Sequence, residues 1–150
     1  MPEHRITTEP LREERNRWFS RAFQEFGTKP YGRRISSSAL LLEVDIRIAF
    51  CAGAWLSVIA LAAAAVEAQF RHVYTEDYEA KAVALYGTDT DLHWLRELRN
   101  EILHASKPGS KSSLWKSDPN DVQACHRTLE PEAMRAVSIM FFSVYGASDA

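Results

Sequence analysis

The run Arg99-Asn100-Glu101-Ile102-Leu103-His104 brings together two side chains able to handle a phosphodiester. A guanidinium grips a phosphate through two parallel hydrogen bonds and stays charged at any working pH. An imidazole titrates near neutrality and moves a proton. Asn100 and His104 are four residues apart and share one stripe of a helix, whereas Arg99 and His104 diverge by roughly 140° on 3.6 residues per turn. Converging on one phosphate therefore requires a frayed helix end, a curled arginine or a second subunit. A two-fold dimer that apposes two copies of this helix meets that need. The plainer reading pairs the arginine with nearby acids such as Glu97 and Glu101, and makes the histidine a partner for the helix's carbonyl end.

Two further groups bear on this segment. Glu67 interrupts an apolar run, and a buried carboxylate is costly unless paired, so it invites a partner such as Arg99. Alternatively the helix has reached solvent there, since Gln69, Arg71 and His72 follow at once. Directly after His104 come Lys107, Lys111, Trp115 and Lys116 in a Ser- and Gly-rich loop. Lysines with one aromatic can track a nucleic-acid backbone and stack a base, or they simply keep a loop solvated. The other histidines form no metal-ligand spacing with each other or with the cysteines, and neither a serine-nucleophile elbow nor a phosphate-binding glycine loop occurs. No metal and no cofactor are expected.

The chain of 150 residues is 46% hydrophobic and 25% charged, enough apolar matter for one compact core and too much for wholesale disorder. Its formal net charge of -2 excludes a globally basic nucleic-acid binder but not a local basic patch. Cys51 and Cys125 stand far apart without a CxxC spacing; one disulfide is open to them, and a reduced cytoplasmic chain is the default. Residues 48–66 carry no charge over nearly a bilayer's span, yet they are rich in alanine and flanked by acids as closely as by Arg47. We read them as a buried bundle helix and expect no membrane partner.

Glycine and proline divide the chain into helical segments. A first helix from about Thr8 to Phe26 carries Trp18, Phe19, Ala22 and Phe23 on one stripe, and a basic linker with Lys29, Arg33 and Arg34 follows. Residues 42–48 alternate with period two, as a half-buried strand does, but the run has no partner strand and flows into an alanine-rich helix former. A single long helix is therefore predicted from about Ala39 to Val73. A third helix is capped by Thr75 and stopped by Gly87; a fourth opens at Thr90 and reaches Ala105 with Leu92, Leu95 and Leu98 inward; a last runs from Pro131 to Tyr145. The expected fold is all-α, an up-and-down bundle of four or five helices, in which residues 1–38 form an N-terminal helix and linker and 39–150 the bundle.

Arg99-Asn100-x-x-x-His104 resembles the signature of the HEPN superfamily, an all-α fold marked by an arginine, a polar residue and a histidine after a short spacer. The order of parts from Ala39 to Tyr145 is similar too: a long alanine-rich helix, a connector, the motif helix, a loop and a final apolar helix. The resemblance implies an RNA- or nucleotide-binding domain. Many members are metal-independent endoribonucleases that act as dimers in toxin–antitoxin or antiviral systems, while others keep the fold and only bind. Carried onto this chain, it makes Arg99 the residue that binds the scissile phosphate and His104 the general acid or base. Asn100 becomes an orienting residue, Glu67 a support, and an antitoxin protein a candidate partner.

Overall fold

The computed structural model describes residues 7–27, 34–104, 114 and 121–146. All regular structure among them is helical: α1 (Glu9–Gly27), α2 (Ser37–Ala52), α3 (Trp55–Val73), α4 (Tyr78–Thr88), α5 (Thr90–Leu103), α6 (Val122–Arg127) and α7 (Glu130–Phe141), closed by a π-helical turn (Phe142–Gly146). Helix α3 is the axis of the bundle and packs against α2, α5 and α7. Its inward positions include Ala62, Ala63 and Ala65, whose short side chains let neighbours approach closely, and Val58, Ile59 and Val66, which fill the space between them.

The long helix expected over 39–73 is two helices. Gly53 takes φ 76°, and its N–H and that of Ala54 donate to Phe50 and Ala49, the pattern that terminates a helix with a left-handed residue. A Cβ at this position would stand 3.0 Å from the end of the Arg15 side chain, which would have to give by a few tenths of an ångström, so it is the positive φ that calls for glycine. Arg15 also donates to the Cys51 carbonyl at 3.2 Å and lies over the Trp55 ring at 4.8 Å. The uncharged run 48–66 is therefore split by the turn of an α2–α3 hairpin. Among the described residues, Trp55–Val73 is the one helix long and apolar enough to cross a membrane by length and composition, and its inner face is the bundle's core.

A buried amide closes the far end of that hairpin. Gln69 is fully buried; its Oε1 accepts from the Ser36 N–H at 2.9 Å and its Nε2 donates to the Arg34 carbonyl at 2.8 Å. Ser36 in turn caps α2 by accepting from the Ala39 N–H. The sequence reading that places Gln69 in solvent is thus corrected: α3 reaches solvent at Glu67 and Arg71 on one face, while Gln69 turns inward to backbone groups some thirty residues away. Gln69→Leu keeps the volume but orphans a buried N–H and a carbonyl. It is expected to cost about 1–3 kcal/mol in urea denaturation, more than an isosteric core swap would.

Helix α1 belongs to the same core. Phe19 is fully buried and meets Phe50 of α2 and Phe141 of α7, with ring centroids 5.9 and 5.1 Å away. Smaller departures from expectation lie at helix ends. Thr75 does not cap α4, which starts at Tyr78 and runs through Gly87, where the helix faces open space. Helix α5 starts as expected, with Asp89 accepting from the Leu92 N–H, but ends at Leu103 rather than Ala105.

Candidate phosphate-binding site

Helices α3, α4 and α5 converge around Ala63, Val66 and Leu95 and then open into a cavity of about 190 Å³. Arg99 reaches its wall because it follows buried Leu95 by one helical turn, on the inward stripe that also holds Leu92. Glu67 follows Ala63 by the same interval on α3 and faces it. The two meet at 3.3 Å, Arg99 Nη1 donating to Glu67 Oε2, with about 30% of each side chain exposed. Arg99 Nη2 donates to Asn100 Oδ1 at 3.2 Å, and Arg99 Nε is buried without a partner. An ion pair this exposed stabilises a fold by at most about 1 kcal/mol. Its effect here is to fix the plane of the guanidinium.

Glu67 is shared. Its Oε1 accepts from Arg71 Nε and Nη2 at 3.2 and 3.0 Å and from the Tyr78 hydroxyl at 3.4 Å. Arg71 lies over the Tyr78 ring at 4.0 Å and Arg96 over the Tyr86 ring at 4.8 Å. Burial, then the nearby Tyr78 and Glu67, pushes the Tyr86 phenol up to about 12, so it stays protonated and neutral across physiological pH. Burial first and Glu67 second likewise raise Tyr78. Three guanidiniums therefore line the cavity against two carboxylates, Glu67 and Glu79. The wall is cationic, ring-backed and supplied with planar donors, the chemistry that takes a phosphate.

His104 stands at the carboxyl end of α5 as its cap, in extended backbone with φ -127° and ψ 145°. The angle drawn for an ideal helix therefore does not apply to it. It is exposed and is not among the residues lining the Arg99 cavity. The structure thus brings Arg99, Asn100 and Glu67 together and sets His104 beyond them, at the end of the same helix. Lys107, Lys111, Trp115 and Lys116 lie outside the described residues, as do Lys29 and Arg33 of the linker.

Sequence reasoning missed Arg71, Arg96, Tyr78 and Tyr86. Arg96 is three residues before Arg99 and Arg71 four after Glu67, spacings that place each pair on one helix face, so that half of the signal was there. The tyrosines carried none, because only the packing of α4 on α5 delivers them. A larger cavity of about 480 Å³ opens beside α1 and α6, next to Arg15, Trp55, His126 and Arg127. Its Arg15 is already committed to the α2 terminus, and burial lowers the His126 imidazole below its usual value. Among the described residues no group of three or more His, Cys, Asp or Glu gathers as a metal set, and Cys51 and Cys125 are not joined in a disulfide. No family model, curated protein or solved structure matches this chain.

Proposed function

We propose that this all-α protein binds RNA phosphates through Arg99 and acts as a metal-independent, HEPN-type endoribonuclease of the cytoplasm, in the manner of a toxin or antiviral component held by an antitoxin. The observation that carries the reading is a guanidinium fixed from two sides, by Glu67 and Asn100, at the end of a helix that finishes on an exposed imidazole. Arg99 holds a non-bridging oxygen of the scissile phosphate and balances the charge that builds on it. His104 transfers the proton. The ribose 2′-oxygen bonds to phosphorus as its proton leaves to a base, the bond from phosphorus to the 5′-oxygen breaks, and that oxygen is protonated, leaving a 2′,3′-cyclic phosphate.

The active unit we propose is a homodimer, since His104 does not line the Arg99 cavity of its own protomer. RNA incubated with the full chain in EDTA is expected to yield cyclic-phosphate ends, and RNA carrying a 2′-deoxy sugar at the cut site is expected to survive. Arg99→Ala and His104→Ala are each expected to lose roughly 10²-fold or more of the activity alone. Mixing and re-pairing the two variants restores up to a quarter or half of the activity if the two groups come from different protomers, and none if they come from one. Intact RNA with retained binding favours a second reading, a non-catalytic RNA- or nucleotide-binding module. The position of His104 outside the cavity is what recommends it.

A further inference from the structure

The Glu67 carboxylate sits where an anionic ligand would sit. Two guanidiniums and a phenol donate to it: Arg71 through Nε and Nη2, Arg99 through Nη1, and Tyr78 through its hydroxyl. Converging planar donors of this kind are a phosphate's preferred partners. The arrangement is not charge-balanced, because Arg96 also lines the cavity and has only the Tyr86 ring against it, with no carboxylate within ion-pair distance among the described residues. The Nε of Arg99 is a further donor without a partner. A volume of about 190 Å³ is below the roughly 300–1,000 Å³ of pockets that enclose whole organic ligands. It accommodates a phosphate group and leaves a nucleoside outside.

We propose that this cavity binds a terminal phosphate monoester, that of a nucleotide or of an RNA end, and that Glu67 is its built-in competitor. The incoming phosphate takes the donors of Arg71 and Arg99 from the carboxylate, and Arg96 supplies the charge that recruits it. A monoester carries close to two negative charges at neutral pH against one for an internal diester, so three guanidiniums favour the chain end. The inference rests on the proposed function only in taking RNA as the polymer. Because Arg99 serves both, a terminal phosphate and a scissile diester are alternative occupants of this cavity, and the preference concerns which RNA is engaged there.

The test measures binding of the full chain to a short labelled RNA, 2′-O-methylated throughout so that it cannot be cleaved, carrying either a 5′-phosphate or a 5′-hydroxyl. The phosphorylated RNA is expected to bind roughly tenfold more tightly, the worth of one charge-assisted contact, and inorganic phosphate is expected to erase that difference. Glu67→Gln removes the competing charge at constant shape and is expected to enlarge the preference by a further several-fold. Arg96→Ala is expected to abolish it, and thermal melts of both variants confirm that they are folded. Equal binding of the two RNAs, or a preference that shrinks in Glu67→Gln, overturns the proposal. Should neither RNA bind, the RNA reading fails, and calorimetry with AMP against adenosine decides the cavity separately. AMP binding alone upholds the phosphate site, and binding of neither overturns it.

Discussion

Arg99→Ala is expected to lower kcat/KM for RNA cleavage by roughly 10²–10³-fold, the loss typical of removing one preorganised donor from a developing oxyanion. The fold should barely notice. The Arg99–Glu67 pair is about 30% exposed on each side, and Glu67 keeps Arg71 and Tyr78 when Arg99 is gone, so a stability change below about 1 kcal/mol is expected. Arg99→Lys separates charge from geometry. A lysine restores the positive charge, but a single ammonium cannot span Glu67 Oε2 and Asn100 Oδ1 while presenting a planar edge to phosphate. The Arg99→Lys protein should therefore recover RNA binding at low salt and little of the cleavage rate. Full recovery of rate by lysine would mean that Arg99 contributes only field, and full activity of Arg99→Ala would remove it from the site.

The parts of this architecture that were legible in the sequence are those set by local periodicity. The α1 stripe of Trp18, Phe19, Ala22 and Phe23, the inward Leu92, Leu95 and Leu98 of α5, and the proline at the start of α7 all lie as their spacing predicts. What failed to show depends on contacts between distant residues. Alanine-rich chain flanks Gly53 on both sides and propagates a helix equally well. The turn is held from a distance: Arg15, thirty-eight positions earlier, packs against that glycine and donates to the Cys51 carbonyl. Gln69 looked solvated because its partners are backbone groups of residues 34 and 36, which no side-chain pattern announces. In the site, the Arg99–Glu67 pairing was one of two readings open to the sequence, and Asn100, an orienting residue by the resemblance, accepts from Arg99. His104 escapes the angle of an ideal helix because α5 ends one residue before it.

The largest effect on stability is expected from Phe141→Ala. Phe141 is fully buried at the end of α7, and its ring meets Phe19 at 5.1 Å and Phe23 at 5.6 Å edge-on, and Tyr145 at 6.2 Å. Truncation removes the transfer free energy of the ring and leaves a cavity whose walls come from α1, α7 and the following turn, elements that cannot all close on it at once. A cost of about 3–5 kcal/mol follows, out of the roughly 5–15 kcal/mol that holds a domain folded. For a chain of this size that lowers Tm by roughly 6–20 °C. The same variant tests whether the first helix is a separate unit from the bundle. Trp18 stacks on Phe50 at 4.9 Å, so in a background where the other three tryptophans are replaced by phenylalanine its fluorescence reports the α1–α2 contact, while far-UV circular dichroism reports all helices together. Because Phe19 and Phe141 share one core, both signals are expected to move to the same lower midpoint in Phe141→Ala. A tryptophan transition that separates from the helical one would show that α1 undocks first, and that the aromatic contacts across it are weaker than the packing within α2, α3 and α7.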